Sequence, residues 1–365
     1  MTVQSGNNVD PPETPVVISV DAMGGDFGPS EVVRGLARAA RQHPDIRFIL
    51  HGDSAILTRL LQKRRVEHVC SVVHAPGIVG MNDKPSEVAR RSKDSSMGSA
   101  LDSLRSGDAS AVVSCGNTGA LGALSMLRLR RLPGVKRPAI AALWPSMNPQ
   151  KHNVVLDVGA NLKADARDLL QYALMGVSYT RAALDVPRPR VGLLNVGVEP
   201  TKGTEDRQEA ARLIAECAPQ AQFEFVGFIE GNDIASDKVD VVVTDGFTGN
   251  IALKTAEGTA SLIRLFIKQA FAHSILSRFA ALFAITSMHR LRRRIDPRQV
   301  NGGVFLGLEG TVIKSHGSAD ATGVAAAILL AYRLGRSGFS NRLAARVASH
   351  DGAGHDAPDC ANKNG

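Results

Sequence analysis

The sequence predicts an α/β protein, a three-layer αβα sandwich around a mostly parallel, Rossmann-like sheet. Three observations carry this. Short β-branched apolar runs alternate with helical stretches along most of the 365 residues, the pattern of parallel strands buried on both faces. Several runs empty into a glycine-containing loop just before a helix begins. The chain is 44% hydrophobic but only 4% aromatic, as expected of a core built on Ala, Val, Leu and Gly. A chain of this length can bury one large core.

Residues 1–14 are polar and proline-rich and are expected to be disordered, with no apolar signal core and hence no export. One α/β domain is expected over 15–335. Val16–Val20 is its first strand, running into DAMGGD from Asp21 to Asp26. Ser30 caps a helix to about Arg41. Arg47–His51, Ser54–Arg64 and Val69–His74 continue as strand, helix and strand. Gly77–Ser96, with Lys84, Ser86, Arg90 and Ser95, is basic and hydroxyl-rich without an apolar stripe. It reads as a solvated helix and loop, or as one wall of an anion cleft.

The strand–loop–helix design then recurs. Ala111–Ser114 leads into Asn117, Thr118 and Gly119 and a helix through Leu129. Val154–Leu156 leads into Asp157–Asn161 and a helix through about Leu184. Val191–Leu194 precedes the loop of Lys202. Val239–Val243 precedes Asp245, Gly246, Gly249 and Asn250. Thr311–Lys314 precedes His316 and a helix to about Leu334. Residues 336–365 are expected to be a flexible tail, its His350, His355 and Cys360 incidental. Strands of a parallel sheet end on one edge, so these loops are expected to converge there. Unpaired N–H groups at the helix starts, with the helix dipole, favour a bound anion.

The four cysteines are far apart and form no CxxC pair, which fits reduced thiols in a cytosol rather than disulfides or a zinc site. Lys and Arg number 43 against 35 Asp and Glu. Seven of the basic residues, and no acid, lie between Gly258 and Ile295: Arg264, Lys268, Arg278, Arg290, Arg292, Arg293 and Arg294. The charge excess is local. Apolar residues recur there at helical spacing, and the longest uncharged apolar piece is too short to span a bilayer. The segment therefore reads as an amphipathic helical insertion at a dimer interface or on an anionic membrane, where each basic residue contributes ~1 kcal/mol.

No GxxxxGK with a following Ser or Thr, no GxGxxG after a strand, no HExxH and no GxSxG occurs. Nor is a basic patch interleaved with aromatics, which argues against nucleic acid. What remains is a site of lysines, asparagines and backbone donors. Such a site can hold phosphate and stabilise an oxyanion without a covalent enzyme intermediate.

DAMGGD, KPSEVARRSKDSSM, SCGNTGALGAL, LDVGAN, LLNVGVEPTKG, VVVTDGFTGNIALKTAEG and LGLEGTVIKSHGS occur in this order. Together, from Val16 to Leu334, they resemble the acyl-(acyl-carrier-protein):phosphate acyltransferase family (PlsX) of bacterial phospholipid synthesis. Lys163, Glu309 and Cys115 depart from its usual acidic residue, asparagine and alanine. The resemblance implies a fold like the phosphotransacetylases and isocitrate dehydrogenases. It implies transfer of a long-chain acyl group from acylated carrier protein to inorganic phosphate, with no cofactor or metal. It also implies a cytoplasmic homodimer, peripheral at the inner membrane face, beside a downstream glycerol-phosphate acyltransferase.

On that basis Lys202 and Lys314 are expected to hold phosphate, and Asn161 or Asn250 to donate to the oxyanion. Asp245 is expected to orient a lysine or accept a proton. His316 reads equally as a proton acceptor or as a loop residue capping a carbonyl. Gly24, Gly25, Asp26, Lys84, Ser86, Arg90, Ser95, Asn117, Thr118, Gly119, Gly246 and Gly249 complete the expected substrate-binding set, although Asp21 and Asp26 also read as simply fixing the first glycine loop. The rival readings are a short-chain phosphotransacetylase using coenzyme A, a metal-dependent dehydrogenase lacking its aspartate cluster, and a non-catalytic membrane-surface scaffold.

Overall fold

The computed structural model describes residues 15–91, 94–272, 286 and 302–351. In chain order the elements are β1 (Val17–Asp21), α1 (Gly28–Gln42), β2 (Arg47–Gly52), α2 (Ser54–Arg64), β3 (Cys70–His74), α3 (Pro85–Arg91), α4 (Ser96–Arg105), β4 (Ala111–Ser114) and α5 (Thr118–Leu129). They continue as β5 (Ala139–Pro145), β6 (His152–Leu156), α6 (Ala166–Leu184), β7 (Arg190–Leu194), α7 (Glu205–Cys217), β8 (Glu224–Ile229), β9 (Val241–Val243) and α8 (Gly246–Ala272). The last are β10 (Gly303–Leu306), β11 (Thr311–Lys314), α9 (Ala321–Arg336) and α10 (Phe339–Asp351).

The strands form one 11-stranded sheet in the order β3-β2-β1-β4-β11-β10-β5-β6-β9-β7-β8. Successive side chains of a strand leave opposite faces, and the core divides accordingly. Val154, Leu156, Val241 and Val243 join α1, α6 and α9 on one face. Val155, Val242, Val112 and Val312 join α4 and α5 on the other. This two-sided burial is why the strands read as near-continuous apolar runs. On the first face α1 and α9 approach closely: a Cβ at Gly35 would sit 2.5 Å from Cβ of Val324.

The sheet corrects one expectation. β3, β2, β1, β4 and β11 are mutually parallel, and so are β6, β9, β7 and β8. Between the blocks, β10 is antiparallel to both β11 and β5, and β5 is antiparallel to β6. Three reversals invert the second block, so the strand ends do not all share one edge. The strands responsible, β5 and β10, were not legible in the sequence, and neither was the edge strand β8. None of them opens into a glycine loop and helix.

The C-terminal boundary is also corrected. The fold does not stop at residue 335 but turns at Gly338, in the left-handed region (φ +58), into α10. Phe339, Leu343 and Val347 of α10 are buried, and Phe339 meets Tyr179 edge-on at 6.0 Å between ring centroids. Burial of one such side chain stabilises by about 1.5–3 kcal/mol. A short helix with three apolar residues on one face was masked, in the sequence, by the polar residues around it.

Candidate active site

The loops after β1, β4 and β11, three neighbouring strands, form a first cluster. Its buried centre is Asp21, which accepts from Ser96 Oγ at 2.7 Å and Ser114 Oγ at 2.6 Å. Burial pushes its carboxyl up, against the pull of Ser114, Ser96 and the Met23 and Gly24 amides. The glycines beside it serve close approach. A Cβ at Gly24 would lie 2.7 Å from both Asp21 Oδ2 and Gly116 N, and Gly25 (φ +94) rests on Cys115. Asp26 N donates to Gly317 O at 2.8 Å, which ties the first loop to the last.

Lys314 ends β11 and is buried. Its ammonium donates to the Ser315 carbonyl. Burial brings it down to about 8, partly offset by the charges of Cys115, Asp21 and Asp26. Two residues on, exposed His316 has Nε2 3.7 Å from Glu257 Oε1 and Nδ1 3.2 Å from Ser318 Oγ. Glu257 also accepts from Lys254 Nζ at 2.8 Å. His316 and Lys254 together hold its carboxyl down at about 2, against partial burial.

The loops after β6, β7 and β9 form a second cluster around buried Asp157. Its Oδ1 accepts from the amides of Ile140, Gly159 and Ala160 at 3.0–3.1 Å. Its Oδ2 accepts from Asn161 N at 2.7 Å and Asn161 Nδ2 at 3.1 Å. Burial raises the Asp157 carboxyl despite these donors. Asn161 Nδ2 also donates to Pro138 O at 2.7 Å. Both amide hydrogens of Asn161 are therefore committed, which removes it as an oxyanion donor. Its carbonyl accepts from Gly246 N at 2.8 Å. A Cβ at Gly246 would fall 2.5 Å from Asn161 O, and one at Gly249 would fall 1.9 Å from Asp157 O. These glycines seat α8 on the β6 loop. Asn250 is exposed, its side chain over Gly159.

Asp245 accepts from Thr248 N and Thr248 Oγ1, each at 2.9 Å, and from Arg207 Nη2 at 2.6 Å. Burial opposes its ionisation. The Thr248 and Arg207 donors outweigh that and keep the carboxyl below the usual carboxylate range. Asp245 thus orients an arginine rather than a lysine, and its low basicity makes it a poor proton acceptor. Arg207 was not singled out in the sequence; four residues into the α7 region, it reads as a solvated helix charge. Its Nη1 is buried without a partner. Lys202 is exposed in the loop before α7, its stem over Gly197, with its N–H donating to Glu199 O at 3.0 Å.

α8 joins the clusters. It begins at Gly246 in the second, and its Glu257 meets His316 in the first. At the α-helical rise these positions lie about 16 Å apart along the axis. The two strand blocks run in opposite directions, yet this helix bridges their loops.

Of the other expected residues, Ser95 caps α4, accepting from Gly98 N at 3.1 Å. Asn117 caps α5 through Ala120 N at 3.1 Å, and its Nδ2 donates to Met81 O and Asp83 O. That brings the loop before α3 to the first cluster but commits the Asn117 amide. Thr118 and Gly119 start α5; a Cβ at Gly119 would lie 2.9 Å from Pro85. Lys84, Ser86 and Arg90 are exposed on this wall, Lys84 3.9 Å from Glu87. Further along α8, Leu262, Ile263, Leu265 and Phe266 are exposed around Arg264 and Lys268. Arg278, Arg290, Arg292, Arg293 and Arg294 lie outside the described residues. No described helix is long and apolar enough to cross a membrane.

A family model described as fatty acid synthesis protein matches residues 16–342. A phosphate acyltransferase of Dinoroseobacter shibae is 64% identical, covering 93% of this chain and 89% of its own. One of Jannaschia sp. is 62% identical, covering 92% and 93%. Among solved structures, a phosphotransacetylase from Streptococcus pyogenes has a TM-score of 0.58 at 16% identity, covering 87% of this chain and 94% of its own. The EutD phosphotransacetylase from Staphylococcus aureus has a TM-score of 0.57 at 15% identity, covering 88% and 95%. At those identities the likeness speaks for the fold alone. The motifs from DAMGGD to KSHGS, the two loop clusters they build and the match over nine-tenths of the chain lead to one conclusion: the chain belongs to the phosphate acyltransferase family of fatty acid synthesis proteins.

Proposed function

We propose that this acyltransferase moves a long-chain acyl group from the thioester of acyl carrier protein to inorganic phosphate. A phosphate oxygen attacks the thioester carbon, the C–S bond breaks, and acyl phosphate and carrier thiol are released. The observation that carries the reading is the 62–64% identity to phosphate acyltransferases along almost the whole chain. Phosphate is a competent nucleophile and thiolate a good leaving group, so the protein's task is to juxtapose them.

Lys202, Lys314 and the Asp245-anchored Arg207 hold phosphate, Arg207 through its unpartnered Nη1. Ionised Asp245 fixes Arg207 and takes no proton. Asn250, exposed at the start of α8, donates to the oxyanion. Residues 15–351 act as one domain. The apolar and basic outer part of α8, with the basic stretch up to residue 295, serves a homodimer contact and docks on anionic membrane and the acidic carrier protein, close to the acyltransferase that consumes the product.

The test offers palmitoyl-carrier protein and palmitoyl- or acetyl-coenzyme A in parallel, with and without phosphate. Phosphate-dependent thiol release from the carrier protein supports the reading. Turnover of acetyl-coenzyme A alone would transfer the protein to the short-chain rival, and silence with every donor would favour the scaffold.

A further inference from the structure

The C-terminal end of α6 and the start of α10 enclose a cavity of about 180 Å³ lined by Ser178, Arg181, Ala182, Phe339, Arg342 and Arg346. It lies away from both loop clusters. Ser178 is roughly 20 Å along α6 from the Asp165 cap beside the Asn161 loop. Three of its six lining residues are arginines, and none is an acid.

Each arginine is held differently. Arg181 is fixed by backbone carbonyls: Nε donates to Pro187 O at 2.7 Å, and Nη2 to Ala221 O at 3.2 Å and Gln222 O at 2.6 Å. Its Nη1 is buried with no partner, a costly state for a charged donor. Arg346 Nη1 donates to Ser178 Oγ at 3.2 Å. Arg342 is exposed at the rim. Burial, then the like charge of Arg346, brings Arg181 down to about 10. Burial, then Arg342, lowers Arg346. The charges acting on these groups are one another's.

We propose that this cavity is a second anion site, outside the catalytic edge, for a phosphate-class oxyanion: inorganic phosphate or the phosphoryl end of a small metabolite. Forked guanidinium donors suit the oxyanion geometry. The volume is well below the roughly 300–1,000 Å³ of pockets for larger organic ligands, so the site takes an ion or a compact head group. The ligand supplies the negative charge that the lining lacks, and it links α10 to α6.

The test titrates full-length protein with inorganic phosphate by calorimetry and repeats the titration on Arg342→Glu, a rim change the fold tolerates. Wild type binds two phosphates per chain. Arg342→Glu binds one, keeps its turnover and phosphate KM within about twofold, and melts higher than wild type in phosphate-free buffer because it brings its own carboxylate. Arg346→Gln also binds one. O-phosphoserine that displaces the second phosphate assigns the site to phosphomonoesters; failure to displace assigns it to inorganic phosphate. One phosphate on wild type overturns the proposal. So do two on Arg342→Glu, or a melting temperature for that variant below wild type.

Discussion

Arg207 Nη2 donates to Asp245 Oδ2 at 2.6 Å, so α7 and the start of α8 are bolted together by a charge pair largely shielded from solvent. The proposed phosphate contact depends on this pair. Arg207→Ala is expected to raise the KM for phosphate at least tenfold and lower kcat/KM about 10²-fold. It should also cost roughly 1–3 kcal/mol of stability, because Asp245 keeps its burial and loses its strongest donor. Steady-state kinetics and urea unfolding measure both. Arg207→Ala with unchanged phosphate saturation would remove Arg207 from the site.

Lys314 gives a pH signature. Its ammonium, brought down by burial to about 8, is charged below that pH and neutral above it. The kcat/KM for phosphate is expected to fall as pH rises through about 8, and Lys314→Arg should shift that limb upward. Stability runs the other way. The unfolded chain binds the proton more tightly, so Lys314 makes folding more favourable as pH climbs from about 8 toward the ordinary lysine value. A flat rate profile from pH 7 to 9.5 would contradict the assignment.

The two asparagines separate by what their amides already do. Asn250→Ala is expected to lower kcat by about 10²–10³ with little change in melting temperature. Asn161→Ala strips donors from Asp157 and Pro138, and its main effect should be a loss of roughly 1–3 kcal/mol. The reverse pattern would make Asn161 the oxyanion donor.

Gly249 tolerates no side chain. Its Cβ would stand 1.9 Å from the Asp157 carbonyl oxygen, backbone against backbone, so Gly249→Ala should cost more than about 4 kcal/mol or fail to fold. A variant that melts like wild type would mean that α8 can lift off the β6 loop freely.

α10 contributes to the core. Phe339→Ala is expected to destabilise by about 3–5 kcal/mol through the lost contact with Tyr179 and the cavity it leaves. Loss under about 1 kcal/mol in denaturant unfolding would return the segment to the status of a tail.

The sequence revealed what local pattern encodes. Val154–Leu156 and Val241–Val243 are β-branched runs buried on both faces, and their glycine loops lie where the spacing puts them. It concealed what only pairing decides. Val304–Leu306 and Ala139–Pro145 are apolar like the other strands, yet they reverse the sheet, and no residue in them announces direction. The site divides similarly. Lys202, Asp245 and Lys314 stand out by residue type beside glycine. Arg207 finds Asp245 only through the packing of α7 on α8, and the role of Asn161 in shaping its own loop depends on the partners its amide meets.

The most direct measurement of the central claim follows phosphate bearing ¹⁸O at all four oxygens through one turnover with palmitoyl-carrier protein, by mass spectrometry of the products. The account predicts acyl phosphate retaining all four labels, formed in step with free carrier thiol. Thiol release that yields palmitate and no labelled acyl phosphate would make the chain a thioesterase and contradict it.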